Sequence, residues 1–238
     1  MKVIYINFLQ MIRQMKEDIM LLVIAFVPVL AGVVFRFIIP AAEHLLTAYY
    51  SKEVIVAPYY DLLDLFLIIL TPSMFNYVAA MVILEEADDH MIAYLALTPL
   101  GKGGYLLSRL GITGIISFLV SILVALLFHN SNIGVLMLTG IALAGTIQGV
   151  VVALLIVVFS ANKVEGLAIG KMSTLLSLGM LVPYFITGKG QYLLSVLPSF
   201  WMAKAIQSDS YLLLFVSIIL AVLWVILLSK KFMKKITG

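Results

Sequence analysis

Residues 211–229 read YLLLFVSIILAVLWVILLS, nineteen consecutive positions without a charged side chain. A helix that crosses the hydrocarbon core of a bilayer needs about 20 predominantly apolar residues. The stretch therefore predicts a membrane-spanning helix, and four lysines follow it within six residues.

The whole chain has the composition of a membrane protein. Of its 238 residues 63% are hydrophobic and only 11% are charged, whereas soluble domains carry roughly 25% charged residues. A net charge of +3 gives little support to nucleic-acid binding. The sequence contains no cysteine, which excludes disulfides, cysteine-ligated zinc and thiol catalysis.

Five further apolar runs precede the first stretch, so we predict an all-α, polytopic membrane protein with six transmembrane helices in a single domain, 1–238. Helices are expected because an open sheet edge in lipid would leave backbone groups unpaired. The predicted spans are 19–39, 59–84, 105–128, 134–159, 166–187 and 211–229.

The basic residues predict the orientation. With six spans both termini lie on one side, and eleven of the fifteen lysines and arginines fall on that side. Because cytoplasmic loops are enriched in Lys and Arg, both termini are expected in the cytoplasm, and the protein in the cell membrane.

Three segments outside the spans carry further predictions. Residues 2–18 show an apolar repeat of three and four positions and predict an amphipathic elbow helix in the cytoplasmic interface. Residues 188–210 predict short re-entrant helices at the outer surface, broken at Pro198. The first outer loop, 40–58, is polar.

The stretch EEADDHMIAYLALTPLGKGG, 85–104, interrupts the apolar pattern. Four of the twelve acidic residues fall within five positions, before a short apolar surface and a Pro/Gly turn. A solvated loop is the simpler reading, but it would not need that apolar surface. We therefore predict a short cytoplasmic helix that docks a partner. Its contact residues are Glu85, Glu86, Asp88, Asp89, Met91, Tyr94 and Leu95.

Polar residues inside predicted spans are the remaining candidates, since such residues are costly in lipid. Asn76, Tyr77 and Gln148 are possible substrate contacts, and interhelical hydrogen bonding is an equally good interpretation. For Arg36, Asp61 and Asp64 a structural ion pair is favoured over a proton relay. The glycine pairs 145/149 and 166/170 predict close helix packing.

No catalytic, metal or nucleotide site is predicted. GLAIGKMS, from residue 166, has too few residues between its glycines for a phosphate-binding loop, and Met172 replaces the hydroxyl residue. The acidic cluster lacks the spacing of a calcium loop.

The layout resembles the permeases of ABC-2 type transporters. The similarity rests on ILEEADDHMIAYLALTPLGKGGYLLSRL, 83–110, and on LLSVLPSFWMAKAI, 193–206. The resemblance implies a coupling helix that contacts a separate pair of ATP-binding subunits, which bind ATP and Mg. It also implies a second permease, identical or homologous, joined through the first and fifth spans.

The predicted function is therefore the permease subunit of an ABC exporter for a lipophilic drug-like compound or a membrane-active peptide. Two alternatives are a self-sufficient secondary transporter of a small hydrophobic solute and an intramembrane enzyme. The first would need intramembrane acids for ion coupling, and the second lacks a recognisable set of catalytic residues.

Overall fold

A computed structural model of the chain describes residues 9, 11–13, 18–89, 91 and 101–237. These residues form helices and no strands. Five helical stretches among them are long and apolar enough to cross a membrane: Ile19–Tyr50, Ala57–Asp88, Gly103–Phe128, Val135–Phe159 and Tyr211–Lys235.

The first stretch consists of α1 (Ile19–Val33), a π-helical turn (Val34–Ile38) and α2 (Ile39–Tyr50). It begins at Asp18, whose carboxylate accepts hydrogen bonds from the backbone N–H groups of Met20 and Leu21 at 2.9 and 3.3 Å. The helix continues well beyond the predicted end at Ile39, so the first half of the predicted outer loop, 40–58, is helical. Pro40 is the second residue of α2, which directly follows the π-helical turn.

The next helix, α3 (Tyr60–Asp88), follows a 3-10 turn at Ala57–Tyr59 and forms the centre of the bundle. Pro72 lies inside it and has no N–H to offer the carbonyl of Ile68. Ser121 of a neighbouring helix donates its hydroxyl to that carbonyl at 2.9 Å. This bond explains how a buried helix tolerates the proline.

The third and fourth stretches follow. The third consists of α4 (Gly101–Leu106), a π-helical turn (Leu107–Gly111) and α5 (Ile112–Phe128), and the fourth is α6 (Val135–Phe159). In the most apolar 18 residues of α3 and of α6, 78% of the residues are buried. The corresponding values are 11% for the first stretch and 22% for the last. The core therefore lies between α3 and α6.

The predicted fifth span is not a continuous helix, and six continuous spans are not confirmed. It consists of α7 (Lys163–Ser173), a 3-10 segment (Thr174–Met180) and α8 (Val182–Phe185). Lys163 bonds to Glu85 at one end of α3, and the Phe185 ring stacks on Tyr59 at the other, with centroids 5.5 Å apart. The broken segment therefore runs along the full length of α3.

After α8 come a 3-10 helix (Lys189–Leu194) and two further helices, α9 (Pro198–Gln207) and α10 (Tyr211–Thr237). Phe200, Met202 and Ala203 of α9 are buried. The Trp224 indole N–H donates to the Val196 carbonyl at 3.3 Å, so the loop before α9 reaches the middle of α10.

Both predicted glycine faces pack on α3. A Cβ on Gly149 would lie 2.7 Å from the Pro72 carbonyl oxygen, and one on Gly170 would meet the Tyr77 ring. Most of the predicted elbow helix and the predicted coupling helix over 92–100 lie outside the described residues. Met11, from the elbow, is buried beside Thr113, whose hydroxyl oxygen is 3.9 Å from its sulfur.

Candidate functional site

A cavity of about 490 Å³ lies between the first stretch, α3 and the broken segment. This volume falls within the range of small-molecule sites, about 300–1,000 Å³. The cavity is lined by Phe35, Leu62, Leu63, Phe66, Leu70, Ser73, Met74, Tyr77, Val152, Gly170, Ser173, Thr174, Ser177, Leu178, Met180 and Leu181.

Most of this lining is apolar, and five hydroxyl-bearing side chains contribute the polar part. The hydroxyls of Ser73, Ser173 and Thr174 donate to carbonyls of their own helices. Their oxygens still have acceptor capacity, because a hydroxyl has one proton and two lone pairs. The site is therefore suited to an apolar compound that has a few hydrogen-bond donors and no charged group in need of an opposite charge.

The broken segment forms one wall of the cavity. Gly170 allows the Tyr77 ring to lie directly against α7. Ser173 and Leu178 line this cavity on one side and a second, apolar cavity on the other. The end of α7 and the 3-10 segment thus form a single-layer partition between the two cavities.

A buried charged cluster closes one end of the bundle. Glu86, at the end of α3, pairs with the Arg109 guanidinium, and both side chains are only 1% exposed. Arg109 Nε donates to Glu86 Oε2 at 3.1 Å, and the Tyr105 hydroxyl donates to the same oxygen at 2.7 Å. Removing one partner of such a buried pair typically costs about 3–5 kcal/mol, because a buried charge is left uncompensated.

A second cluster at the same end centres on Lys163. Its ammonium donates to Asp18 at 3.0 Å and to Glu85 at 2.9 Å, and its backbone N–H donates to Asp88 at 3.0 Å. The hydrogen bond from Lys163 lowers the pKa of Asp18, although partial burial opposes the shift. Burial alone would lower the pKa of Lys163, but the hydrogen bonds to Glu85 and Asp18 outweigh it and raise that pKa.

A polar cluster near the opposite end joins the first stretch to α3. Arg36 donates to the His129 carbonyl at 2.8 Å and to the Asn130 side chain at 3.2 Å. Asp64 accepts from the backbone N–H of Asn130 at 3.0 Å and from Ser131 at 2.8 Å.

Residues 11–229 match the family described as "Fluoroquinolones export permease protein Rv2686c-like". The chain belongs to this family. It is accordingly a multi-pass membrane protein of the drug-export permease kind, and the family description denotes a transporter and not a catalytic enzyme.

Two relatives of this permease come from Mycobacterium tuberculosis. They are the fluoroquinolones export permease proteins MT2760, from strain CDC 1551 / Oshkosh, and Rv2686c, from strain ATCC 25618 / H37Rv. Each is 26% identical over 199 residues, which cover 82% of this chain and 77% of the relative. No solved structure gives a significant match.

The permease's predicted intramembrane residues have different environments. Asn76 and Gln148 are fully buried between helices, whereas the cavity is lined by Tyr77 and by neither amide. The Asn76 amide nitrogen donates to the Pro72 carbonyl at 2.9 Å. Its oxygen and both amide atoms of Gln148 have no hydrogen-bond partner among the described residues.

The predicted ion pair of Arg36 with Asp61 or Asp64 is wrong in detail. Asn130 stands between Arg36 and Asp64 and bonds to both. Backbone N–H groups of the loop after α5 satisfy the Asp64 carboxylate, so a cationic partner is not required. No sequence pattern indicates this role of the loop, because its hydrogen bonds to Asp64 come largely from backbone N–H groups.

Three of the predicted docking residues have other roles in the structure. Glu86 is buried in its pair with Arg109, which removes it from any docking surface. Glu85 and Asp88 bind Lys163. Asp89 and Met91 are exposed, and Tyr94 and Leu95 lie outside the described residues.

Proposed function

We propose that this chain is the membrane subunit of an ATP-driven exporter of the ABC-2 type, which moves a lipophilic drug-like compound out of the cell. The observation that carries the proposal is the match of residues 11–229 to a family of drug-export permeases. The cavity beside Tyr77 supports it, because its size and apolar lining suit such a compound.

The proposed topology has six crossings. The broken segment supplies the fifth, since it extends from Lys163 beside Glu85 to Phe185 beside Tyr59. Both termini then lie on one side, and the lysines after α10 favour the cytoplasm. The Lys163 and Glu86 clusters would lie at the cytoplasmic end.

The proposed partners are a pair of separate ATP-binding subunits and a second permease, identical or homologous. The proposed ATPase contact is the loop 85–104, in which Asp89 and Met91 are exposed and Tyr94 and Leu95 remain predicted contact residues. The second permease would contact the first stretch and the broken segment, which also border the cavity. ATP binding would shift the population between inward-open and outward-open states.

The buried amides of Asn76 and Gln148 fit an alternating mechanism. An unpaired buried polar group costs about 1–3 kcal/mol. A state in which α3 and α6 separate would let water or substrate hydrogen-bond to these groups, which would partly offset the cost of that separation.

The test is drug accumulation in cells that express the permease with its candidate ATPase. We expect a fluoroquinolone to accumulate less in these cells than in the vector control. Replacing the phosphate-binding lysine of the ATPase should abolish the difference. Efflux that survives this change but collapses with a protonophore would refute the proposal in favour of a secondary transporter.

The docking loop is tested separately by purification of the complex. Tyr94→Ala and Leu95→Ala should weaken the complex by about 1–3 kcal/mol if these residues are central anchors. Asp89→Asn is the matched control, and we expect from it a smaller effect that fades as salt rises. Full ATPase binding by both alanine variants would exclude the loop as the contact.

A further inference from the structure

A second cavity, of about 520 Å³, lies on the far side of the broken segment from the cavity described above. Its walls are the end of α6, the broken segment and the loop that carries Leu194 and Leu197. It is lined by Leu155, Phe159, Ile169, Met172, Ser173, Leu175, Leu176, Leu178, Leu194 and Leu197.

This second cavity, called the groove below, has the length of one membrane leaflet. From Ile169 to Leu178 the chain rises roughly 16 Å, given the rise of an α-helix and of a 3-10 helix. The hydrocarbon core of a bilayer is about 30 Å thick, so the groove covers about half of it. Phe159, the last residue of α6, marks the end near the membrane surface.

A positive charge stands at that end. The Lys231 ammonium lies 4.1 Å from the centroid of the Phe159 ring, and the lysine is exposed. Lys235, one turn further along α10, donates to the carbonyls of Val157 and Ser160 and so holds α10 against the end of α6. An exposed ammonium therefore sits where an apolar groove meets the membrane surface.

We propose that this groove binds one acyl chain of an anionic phospholipid from the leaflet on the side of the C-terminus, with Lys231 contacting the headgroup phosphate. Basic pockets between membrane helices are suited to anionic headgroups, and the apolar walls suit the chain. The assignment depends on the membrane location of the protein and not on the substrate proposed above.

The groove is less suited to a drug. Small-molecule sites add a few directed polar groups to their apolar lining. Ser173 contributes the hydroxyl among the lining residues, and its proton is already donated to the Gly170 carbonyl at 2.7 Å. The lining therefore offers shape and apolar surface, which is what an acyl chain requires.

The experiment measures retained lipid on the purified full-length protein by native mass spectrometry. The protein is taken from nanodiscs of phosphatidylcholine that contain a fixed fraction of phosphatidylglycerol. Wild type should retain phosphatidylglycerol in preference to phosphatidylcholine. Lys231→Gln should reduce that preference about fivefold, the contribution of one basic residue near an anionic surface.

Lys230→Gln is the matched control, because Lys230 is also exposed and faces another side of α10. It should leave the preference unchanged. Met172→Trp, which fills the groove, should reduce the retention of phosphatidylglycerol, with unchanged circular dichroism showing that the variant is folded.

Three results would overturn the assignment. Equal losses in the two lysine variants would indicate general attraction of anionic lipid to the basic end of α10. Equal retention of both lipids by wild type would indicate an ordinary lipid-facing surface. A groove that retains a fluoroquinolone and no lipid would belong to the transport path. Loss of drug efflux alone, with lipid retention intact, would bear on the proposed function and not on this site.

Discussion

Gly149→Ala tests the contact on which the bundle depends. The added Cβ would lie 2.7 Å from the carbonyl oxygen of Pro72 and 2.9 Å from the amide nitrogen of Asn76. Backbone of α3 cannot move aside as the end of a flexible side chain can. The two central helices must therefore separate locally, or the hydrogen bond from Asn76 to Pro72 must lengthen.

The magnitude follows from two opposing terms. Overpacking of a well-packed core costs about 1–3 kcal/mol. Replacing glycine by alanine inside a helix returns about 0.5–1 kcal/mol. The difference between the two terms predicts that Gly149→Ala lowers the free energy of unfolding by about 1–2 kcal/mol.

Gly145→Ala is the control, one turn earlier on the same helix. The Cβ of alanine at this position would lie 3.6 Å from the nearest atoms of Ile68 and Ile69, which is an ordinary contact. The gain from replacing glycine inside a helix should therefore dominate, and the free energy of unfolding should stay the same or increase. Unfolding in mixed micelles with a rising fraction of SDS, followed by circular dichroism, measures both variants. Equal stability of the two variants would refute the close contact of α3 with α6 at Pro72.

Three further predictions concern the cavity, the proline and the charged end. Gly170→Ala should push the Tyr77 ring toward the cavity and reduce fluoroquinolone efflux at unchanged expression. Unchanged efflux would mean that the drug does not bind in this cavity. Ser121→Ala should destabilise the protein by about 1 kcal/mol, because the carbonyl freed by the proline of α3 loses its donor, while Ser117→Ala, whose hydroxyl donates within its own helix, should cost less in the same unfolding assay. Lys163→Met should lower the unfolding temperature by a constant amount between about pH 5 and 9, and the difference from wild type should narrow below about pH 4. A difference in unfolding temperature that grows as the pH falls would contradict the ion pairs of Lys163.

The sign of the last prediction follows from the two pKa shifts. The pKa of Asp18 is lowered on folding, so its contribution is present above the unfolded value and is lost as the pH falls through the folded one. The pKa of Lys163 is raised, so its contribution is present below the unfolded value and is lost as the pH rises through the folded one. Between these pH values Asp18 is deprotonated and Lys163 is protonated, so both contributions to stability are present.

The all-α membrane class and five of the spans could be predicted from the sequence, because apolar runs of sufficient length have few other uses. The break in the predicted fifth span could not be predicted from the sequence. Apolar composition predicts that a segment can lie in lipid, but Thr174–Met180 adopts a 3-10 helix. The segment packs against α9, where the Ser199 hydroxyl donates to the Leu176 carbonyl and a Cβ on Gly179 would lie 2.9 Å from the Phe200 backbone nitrogen. Contacts of this kind between separate helices cannot be inferred from composition.

The candidate site was predictable only in part. Tyr77 was identified because a polar residue inside a span is costly, and the cavity lies beside it. The pairing of Glu86 with Arg109 was missed, although Arg109 stands four residues from Tyr105 and would fall on the same helix face. Sequence alone does not show which residues of adjacent helices face each other, so the charge of Glu86 predicts a position on the surface.

The consecutive residues Glu85 and Glu86 explain how the end of α3 can couple the loop 85–104 to the helices. Neighbouring positions on a helix point about 100° apart, and these two carboxylates bind different partners. Glu86 binds Arg109 next to α5, while Glu85 binds Lys163 at the start of the broken segment. Lys163 also binds Asp18 at the start of α1. One turn of α3 is therefore linked to the third stretch, to the start of α7 and, through Lys163, to the start of α1. We infer that a partner pulling on this loop would displace α7 together with α3, and α7 carries Gly170 and Ser173 of the cavity wall.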